Sequence, residues 1–149
     1  MKFILNRQKR NTERGQSLTE LALLLPFLLM LILGTLDLSR AYEVYVDVTN
    51  AAREGARYAA GNATDSTIQT DVTTRVNQEL TGAGIGSVTV AALVCTSYST
   101  NSVIACSSAA SGDYITVSVS TQFQFVTFSV IGLSTTTISN SATMAVVLP

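Results

Sequence analysis

The sequence predicts an α+β protein: a long N-terminal membrane-spanning helix followed by a small head with a short helix and an antiparallel sheet. Three observations carry that prediction. A basic leader precedes a long apolar run, helical periodicity continues well past that run, and the last third of the chain switches to a period of two. At 149 residues the chain holds one modest domain plus an extension.

Residues 1 to 15 carry Lys2, Arg7, Lys9, Arg10 and Arg14 against Glu13, a net charge of +4. The remainder holds four basic and nine acidic residues, a net of −5. A basic segment ahead of an apolar run stays cytoplasmic, which puts everything after Leu36 outside. Leu21 to Leu36 is sixteen residues without a charge, and nineteen from Leu18 with Glu20 included. Nineteen helical residues rise about 28 Å, close to the thickness of a hydrocarbon core. A core helix of a soluble protein is one rival, but no flanking element is suited to covering a cylinder that is apolar all round. A cleaved secretory signal is the other, with Ser39-Arg40-Ala41 as a weak cleavage pattern. The apolar run exceeds the usual signal length, and helical periodicity crosses that point unbroken.

The stretch DLSRAYEVYVDVTNAAREGARYAAG still reads as helix. Ala41, Tyr45, Val48, Ala52, Gly55 and Ala59 recur at spacings of three and four on one face. Gly61-Asn62 supplies a left-handed stop signal. The expectation is one helix over residues 16–61, with an apolar transmembrane half at 18–36 and an outer half standing free of the membrane. Pro26 removes one backbone hydrogen bond and kinks the helix, which membrane helices tolerate. The small residues Ala51, Ala52, Gly55, Ala56, Ala59 and Ala60 form a packing face for a sheet or another helix.

Residues 62–149 make the head. Ile68, Val72, Val76 and Leu80 are the apolar stripe of a helix around Ser66 to Leu80. The glycine-rich TGAGIGS ends it. In YITVSVSTQFQF, Ile115, Val117, Val119, Thr121, Phe123 and Phe125 face one way and the intervening polar residues the other, a half-buried strand. Val88 to Cys95 and Ser139 to Leu148 are further strands, and Phe125 to Ser134 is an irregular connection. Outside the membrane, Cys95 and Cys106 read as a disulfide, with free thiols as the alternative. Zinc fits poorly, since two cysteines without any histidine do not complete an ordinary tetrahedral site.

No catalytic, cofactor-binding or metal-binding residue is indicated, and the expectation is a non-enzyme. There is no histidine, and Asp65, Asp71, Glu79 and Asp113 are scattered and read as solvated surface. Gly82, Gly84 and Gly86 read as a turn, because no helix pattern follows to complete a phosphate cradle.

A basic leader ending in Gly15, then QSLTE, then an apolar helix resembles a prepilin signal. Counted from the bond after Gly15, Gln16 is the first mature residue and Glu20 the fifth. The longer match, RGQSLTELALLLPFLLMLILGTLDLSRAY followed by NAAREGARYAA, resembles the TadE-like family of tight-adherence pseudopilins. Arg14, Gly15, Glu20, Pro26, Gly34, Asp37 and Ala51 to Arg57 carry the resemblance. Leu21 stands where tight-adherence pilins often have tyrosine.

The resemblance implies a pilin-like stem, a leader at residues 1–15, and processing between Gly15 and Gln16 by a prepilin peptidase in the cytoplasmic membrane. It implies assembly through the N-terminal helix, with Glu20 and Pro26 as assembly residues. The partners would be other pilin-like subunits and the pilus assembly machinery, in a homo- or hetero-oligomer, with no nucleic acid. Filament assembly would make the protein extracellular and serve attachment to surfaces. A membrane-anchored extracytoplasmic binding module that never enters a filament is the alternative. For Glu20, the amine freed at Gln16 supplies a partner charge; a glutamate that merely reaches the headgroups is the bland alternative.

Overall fold

In the computed structural model, residues 5–82, 85 and 88–148 are described, with side chains from Gly15 onward except those of Val130 and Ile131. Helix α1 runs Leu5–Gly61 and passes through Pro26 without a break. It is longer than the expected 16–61, because its helical backbone already begins at Leu5. Its 57 residues correspond to about 86 Å. Pro26 has no N–H to give the carbonyl of Ala22, but the remaining bonds of the helix hold on either side.

The two ends of α1 live in different environments. From Leu18 to Leu33 the apolar side chains stand exposed, with Phe128 alongside Phe27, Met30 and Leu31 near the end of the run. From Val48 onward one face is buried: Val48, Ala51, Ala52, Ala56, Ala59 and Ala60 lie in the core. Tyr45, expected on this face, is exposed instead, its ring beside that of Tyr42. Gly55 marks the closest approach. A Cβ there would stand 2.9 Å from Val76 Cγ2 and 3.3 Å from Cγ1 of both Val117 and Val72.

The helix does not end on a left-handed cap. Neither Gly61 nor Asn62 has a positive φ. The Asn62 side-chain amide donates to the Tyr58 carbonyl at 2.9 Å, and the Val147 N–H donates to the Ala60 carbonyl at 2.9 Å. A side chain and the far end of the polypeptide thus satisfy carbonyls that a glycine turn would otherwise serve.

Helix α2 (Ile68–Gly82) begins where Asp65 Oδ1 accepts the Thr67 N–H at 3.0 Å, and it buries Ile68, Val72, Val76 and Leu80 as its stripe predicts. The Ile85 N–H closes its end on the Leu80 carbonyl. Gly84 and Gly86, expected in a turn, lie outside the described residues.

Strands β1 (Val88–Val90), β2 (Val94–Thr96), β3 (Val103–Ile104), β4 (Tyr114–Gln124) and β5 (Thr135–Ala145) form one antiparallel sheet. β4 is central. It pairs along its whole length with β5, and its other edge is shared by β1 and β2. Val90 pairs with Val119 and Val94 with Thr116, so the residue numbers shift by one between the two short strands. The expected strand over Val88 to Cys95 is therefore a single strand interrupted by a bulge at 91–93. Gln69 of α2 fills the interruption: its Nε2 donates to the Ala91 carbonyl at 3.2 Å and its Oε1 accepts the Leu93 N–H at 2.9 Å. A bulge leaves backbone groups without a ladder partner, and one amide side chain serves both.

The alternation in β4 is as predicted: Ile115, Val117, Val119, Thr121 and Phe123 are buried. α1 and α2 cover this face, while Thr116–Thr143 and Gln122–Thr137 pairs bridge β4 and β5 on the other. Asn140 Nδ2 donates to Thr49 Oγ1 at 2.6 Å and ties β5 to the stem. The outer half of α1 is thus the spine of the head's core.

Cys95 and Cys106 form a disulfide. It closes the segment that carries β3, and a 3₁₀ turn at Cys106–Ser108 follows from its second cysteine. Asp113, expected at the solvated surface, is 9% exposed. Its carboxylate accepts the Tyr98 N–H and the Ala110 N–H, each at 2.9 Å, and so pins both ends of this segment.

Candidate functional site

At the N-terminal end of the described side chains, Gly15 and Gln16 lie within continuous helix. Nothing approaches within 4 Å of a Cβ placed on Gly15, so packing gives no reason for a glycine there. Gln16 Nε2 donates to Glu20 Oε1 at 3.2 Å across one helical turn, and Thr19 Oγ1 donates to the Gln16 carbonyl at 2.7 Å. Glu20 is exposed. The side chains of Lys2, Arg7, Lys9, Arg10 and Arg14 lie outside those described.

Gly15–Gly61 is long and apolar enough to cross a membrane, with a mean hydropathy of 2.4 in its most apolar window. Pro26 lies within it. One such N-terminal helix fits a single-pass membrane protein.

The apolar run ends at Asp37, and the structure gives this residue a task that the sequence did not reveal. Asp37 is 3% exposed. Its carboxylate accepts the Val126 N–H at 3.1 Å and the Thr127 N–H at 2.6 Å, and Arg40 Nη1 approaches at 3.4 Å. These are charge-assisted bonds to backbone donors, roughly twice as strong as neutral ones. The recipient is the β4–β5 connection. One helical turn before Asp37, Gly34 admits the ring of Phe128, whose Cζ would stand 3.3 Å from a Cβ there. Phe123, Phe125 and Phe128 meet edge to face at 5.1 and 5.5 Å, and the Arg40 guanidinium lies 5.5 Å over the Phe123 ring. The stem is therefore clamped to the head just beyond its apolar run. The bonds span 89 and 90 positions, so no local pattern could have signalled them. The available hint was an acid three residues after a glycine at the end of an apolar run.

The run Ala51 to Arg57 is the second fixed region. Its alanines and glycine face the core, while Glu54 holds Arg57 at 3.0 Å and approaches Arg75 of α2 at 3.9 Å. Arg75 in turn stacks 4.2 Å over Tyr58. Both halves of the motif have a role: small residues let the helix approach the core, and charges lace its rim to α2.

Residues 15–57 match the family model described as TadE-like protein. The chain carries a TadE-like stem. The matched segment contains Gly15, Glu20, Pro26, the Asp37 clamp and the Ala51 to Arg57 run, and it stops before α2. That similarity, confined to the stem, suggests a pseudopilin-like protein associated with a tight-adherence pilus. No curated protein and no solved structure matches the chain.

Among the described residues no three His, Cys, Asp or Glu side chains gather as a metal site would require. In the head, backbone N–H groups of Ala110 and Tyr98 hold the Asp113 carboxyl below the usual carboxylate range. The Thr67 backbone and hydroxyl do the same for Asp65. Each stabilises an ionised carboxylate in a structural turn.

Proposed function

We propose that this chain is a pilin-like structural subunit of a tight-adherence pilus and not an enzyme. It is inserted in the cytoplasmic membrane with its N-terminus cytoplasmic and its head outside. Prepilin peptidase cuts between Gly15 and Gln16, and the mature protein assembles with other pilin-like subunits through α1, supporting surface attachment. The observation that carries this reading is the bare apolar half of α1, continuous with the helix that forms the head's spine. Such a surface needs lipid before assembly, and packed neighbouring stems supply a comparably apolar environment afterwards.

On this reading, Gln16 gains a positive amine on cleavage, one helical turn from Glu20. Pairing between the two, within a stem or between adjacent stems, offsets the penalty on a carboxylate in hydrocarbon and favours one axial register.

The test is mass spectrometry of the mature N-terminus, with the chain's location followed in membrane and sheared-filament fractions. A mature chain beginning at Gln16 and present in filaments is expected, and Gly15→Leu should accumulate full-length precursor. A chain found uncut and only in the membrane would instead establish the anchored binding module. An N-terminus near Tyr42 would establish a secretory signal.

A further inference from the structure

The β4–β5 connection is placed where a membrane surface would be. Phe125 still pairs with Ser134, its N–H donating to that carbonyl at 3.0 Å, so the connection proper is Val126 to Leu133. Its sequence, VTFSVIGL, has no charge. A 3₁₀ turn at Phe128–Ile131 closes on Gly132, whose φ of 90° suits glycine. The Asp37 carboxylate fixes Val126 and Thr127 at the level where the stem's uncharged run ends. Phe128 reaches further down, to Gly34, about 4.5 Å deeper along the helix axis. There it shares an apolar groove with Phe27, Met30, Leu31 and Leu38. Val126 and Leu133 remain 67% and 59% exposed, so the connection has apolar surface that the head does not use.

Above this level the character changes. Arg40 follows Asp37 by three residues, and Tyr42 and Tyr45 stand exposed, their rings 6.5 Å apart. Tyrosine beside arginine just beyond an apolar span is the composition of the membrane–water interface. The apolar surface of the span is therefore continuous with the connection and ends at a tyrosine and arginine rim.

We infer that the β4–β5 connection is a second membrane contact, with Val126 and Leu133 seated in lipid at the outer leaflet beside the stem. This rests on the reading of α1 as a membrane span with the head outside. The contact together with the Asp37 clamp fixes the height and tilt of the head over the bilayer, which a single helix leaves free to pivot. Lipid is the occupant because exposed Val126 and Leu133 extend the span's own lipid-facing surface, the connection carries no charge to orient another protein, and the Ser129 hydroxyl is already donated to the Val126 carbonyl.

The experiment places a nitroxide label on the full-length chain in phospholipid vesicles. The two native cysteines are bonded to each other, so an introduced cysteine is the one free thiol. Val126→Cys and Leu133→Cys are compared with Leu28→Cys in the span and Val103→Cys on β3, an exposed site in the head. Relaxation by oxygen, which concentrates in lipid, is measured against relaxation by a water-soluble nickel complex. The expected result is an oxygen preference at positions 126 and 133 approaching that at 28 and severalfold above that at 103. A nickel preference at 126 and 133 like that at 103, with 28 still in lipid, overturns the inference and leaves the span intact. Protection of 126 and 133 from both reagents identifies a protein neighbour, such as a second copy, and also overturns it. A label at 28 that meets nickel overturns the span itself, and the inference with it.

Discussion

Gly55 gives the most direct test of how the stem is built into the head. Replacing it with alanine adds one methyl group to the middle of an α-helix, which by propensity alone stabilises by about 0.8–1.0 kcal/mol. Here the new Cβ would meet Val76 Cγ2 at 2.9 Å, well inside the roughly 3.5–4.0 Å optimum for carbon contacts. Val117 and Val72 follow at 3.3 Å. All three neighbours are β-branched, on two different elements, and none has a free rotamer to retreat into without disturbing its own packing. Overpacking of this kind costs about 1–3 kcal/mol, so the helix gain is outweighed and the variant should lose about 1 kcal/mol. Gly61→Ala is the control, since nothing lies within 4 Å of a Cβ there. Denaturant unfolding of the full chain in detergent, followed by near-ultraviolet circular dichroism from the head's tyrosines, reads the difference. Gly55→Ala should shift its midpoint down and Gly61→Ala should not. If Gly55→Ala is as stable as Gly61→Ala, or more so, the close approach of α1 to Val72, Val76 and Val117 is not what selects glycine.

Three further perturbations test other parts of the structure. Replacing Cys95 and Cys106 together with serine should destabilise the head by about 3 kcal/mol in the chain-entropy account, measured by the same titration, with no loss in reducing buffer beyond that of the parent. The Asp113 carboxyl is held below its ordinary value by backbone donors, so its contribution is fully present above the unfolded carboxylate range near pH 3.9. That contribution is lost as pH falls through the lower folded value, so Asp113→Asn should be less stable at neutral pH and less steeply acid-sensitive, although Asp65 retains its own share; an unchanged acid profile would refute this. Glu20→Gln should leave head folding and membrane insertion intact but sharply reduce recovery in sheared filaments, and equal recovery would mean that the carboxylate only meets headgroups.

What the sequence showed of this fold was whatever has a local period. The stripe Ile68, Val72, Val76 and Leu80 and the alternation from Ile115 to Phe123 each announce a buried face within a dozen residues, and both faces are buried. The small-residue run at Ala51 to Ala60 announced close packing without naming the partner, which is both α2 and the sheet. Contacts between distant segments were illegible. Asp113 looked like a surface acid, and nothing marked Asp37 as buried, because their partners are backbone N–H groups, which every residue carries and no pattern marks. The bulge at 91–93 was hidden for a related reason: it depends on Gln69, a residue of ordinary appearance on another element. Gly61-Asn62 marked the end of α1 correctly but for the wrong reason, since the terminal carbonyls find Asn62 and Val147 instead of a left-handed turn.

The pairing of α1 with β5 sets the order in which the protein becomes itself. Thr49 meets Asn140, and Ala60 meets Val147, across separations of roughly ninety residues. Such high contact order makes folding slow, because the chain must close a long loop before the contacts reward it. On the proposed orientation, α1 enters the bilayer first and the sheet strands cross after it. Until β5 has crossed, the alanine and glycine face of the emerging helix has only a partial cover, and β4 has one bare edge. The interval between insertion and the arrival of β5 is when a second copy's strand could pair with that edge by mistake. That exposure ends once Thr135 to Ala145 have zipped along β4.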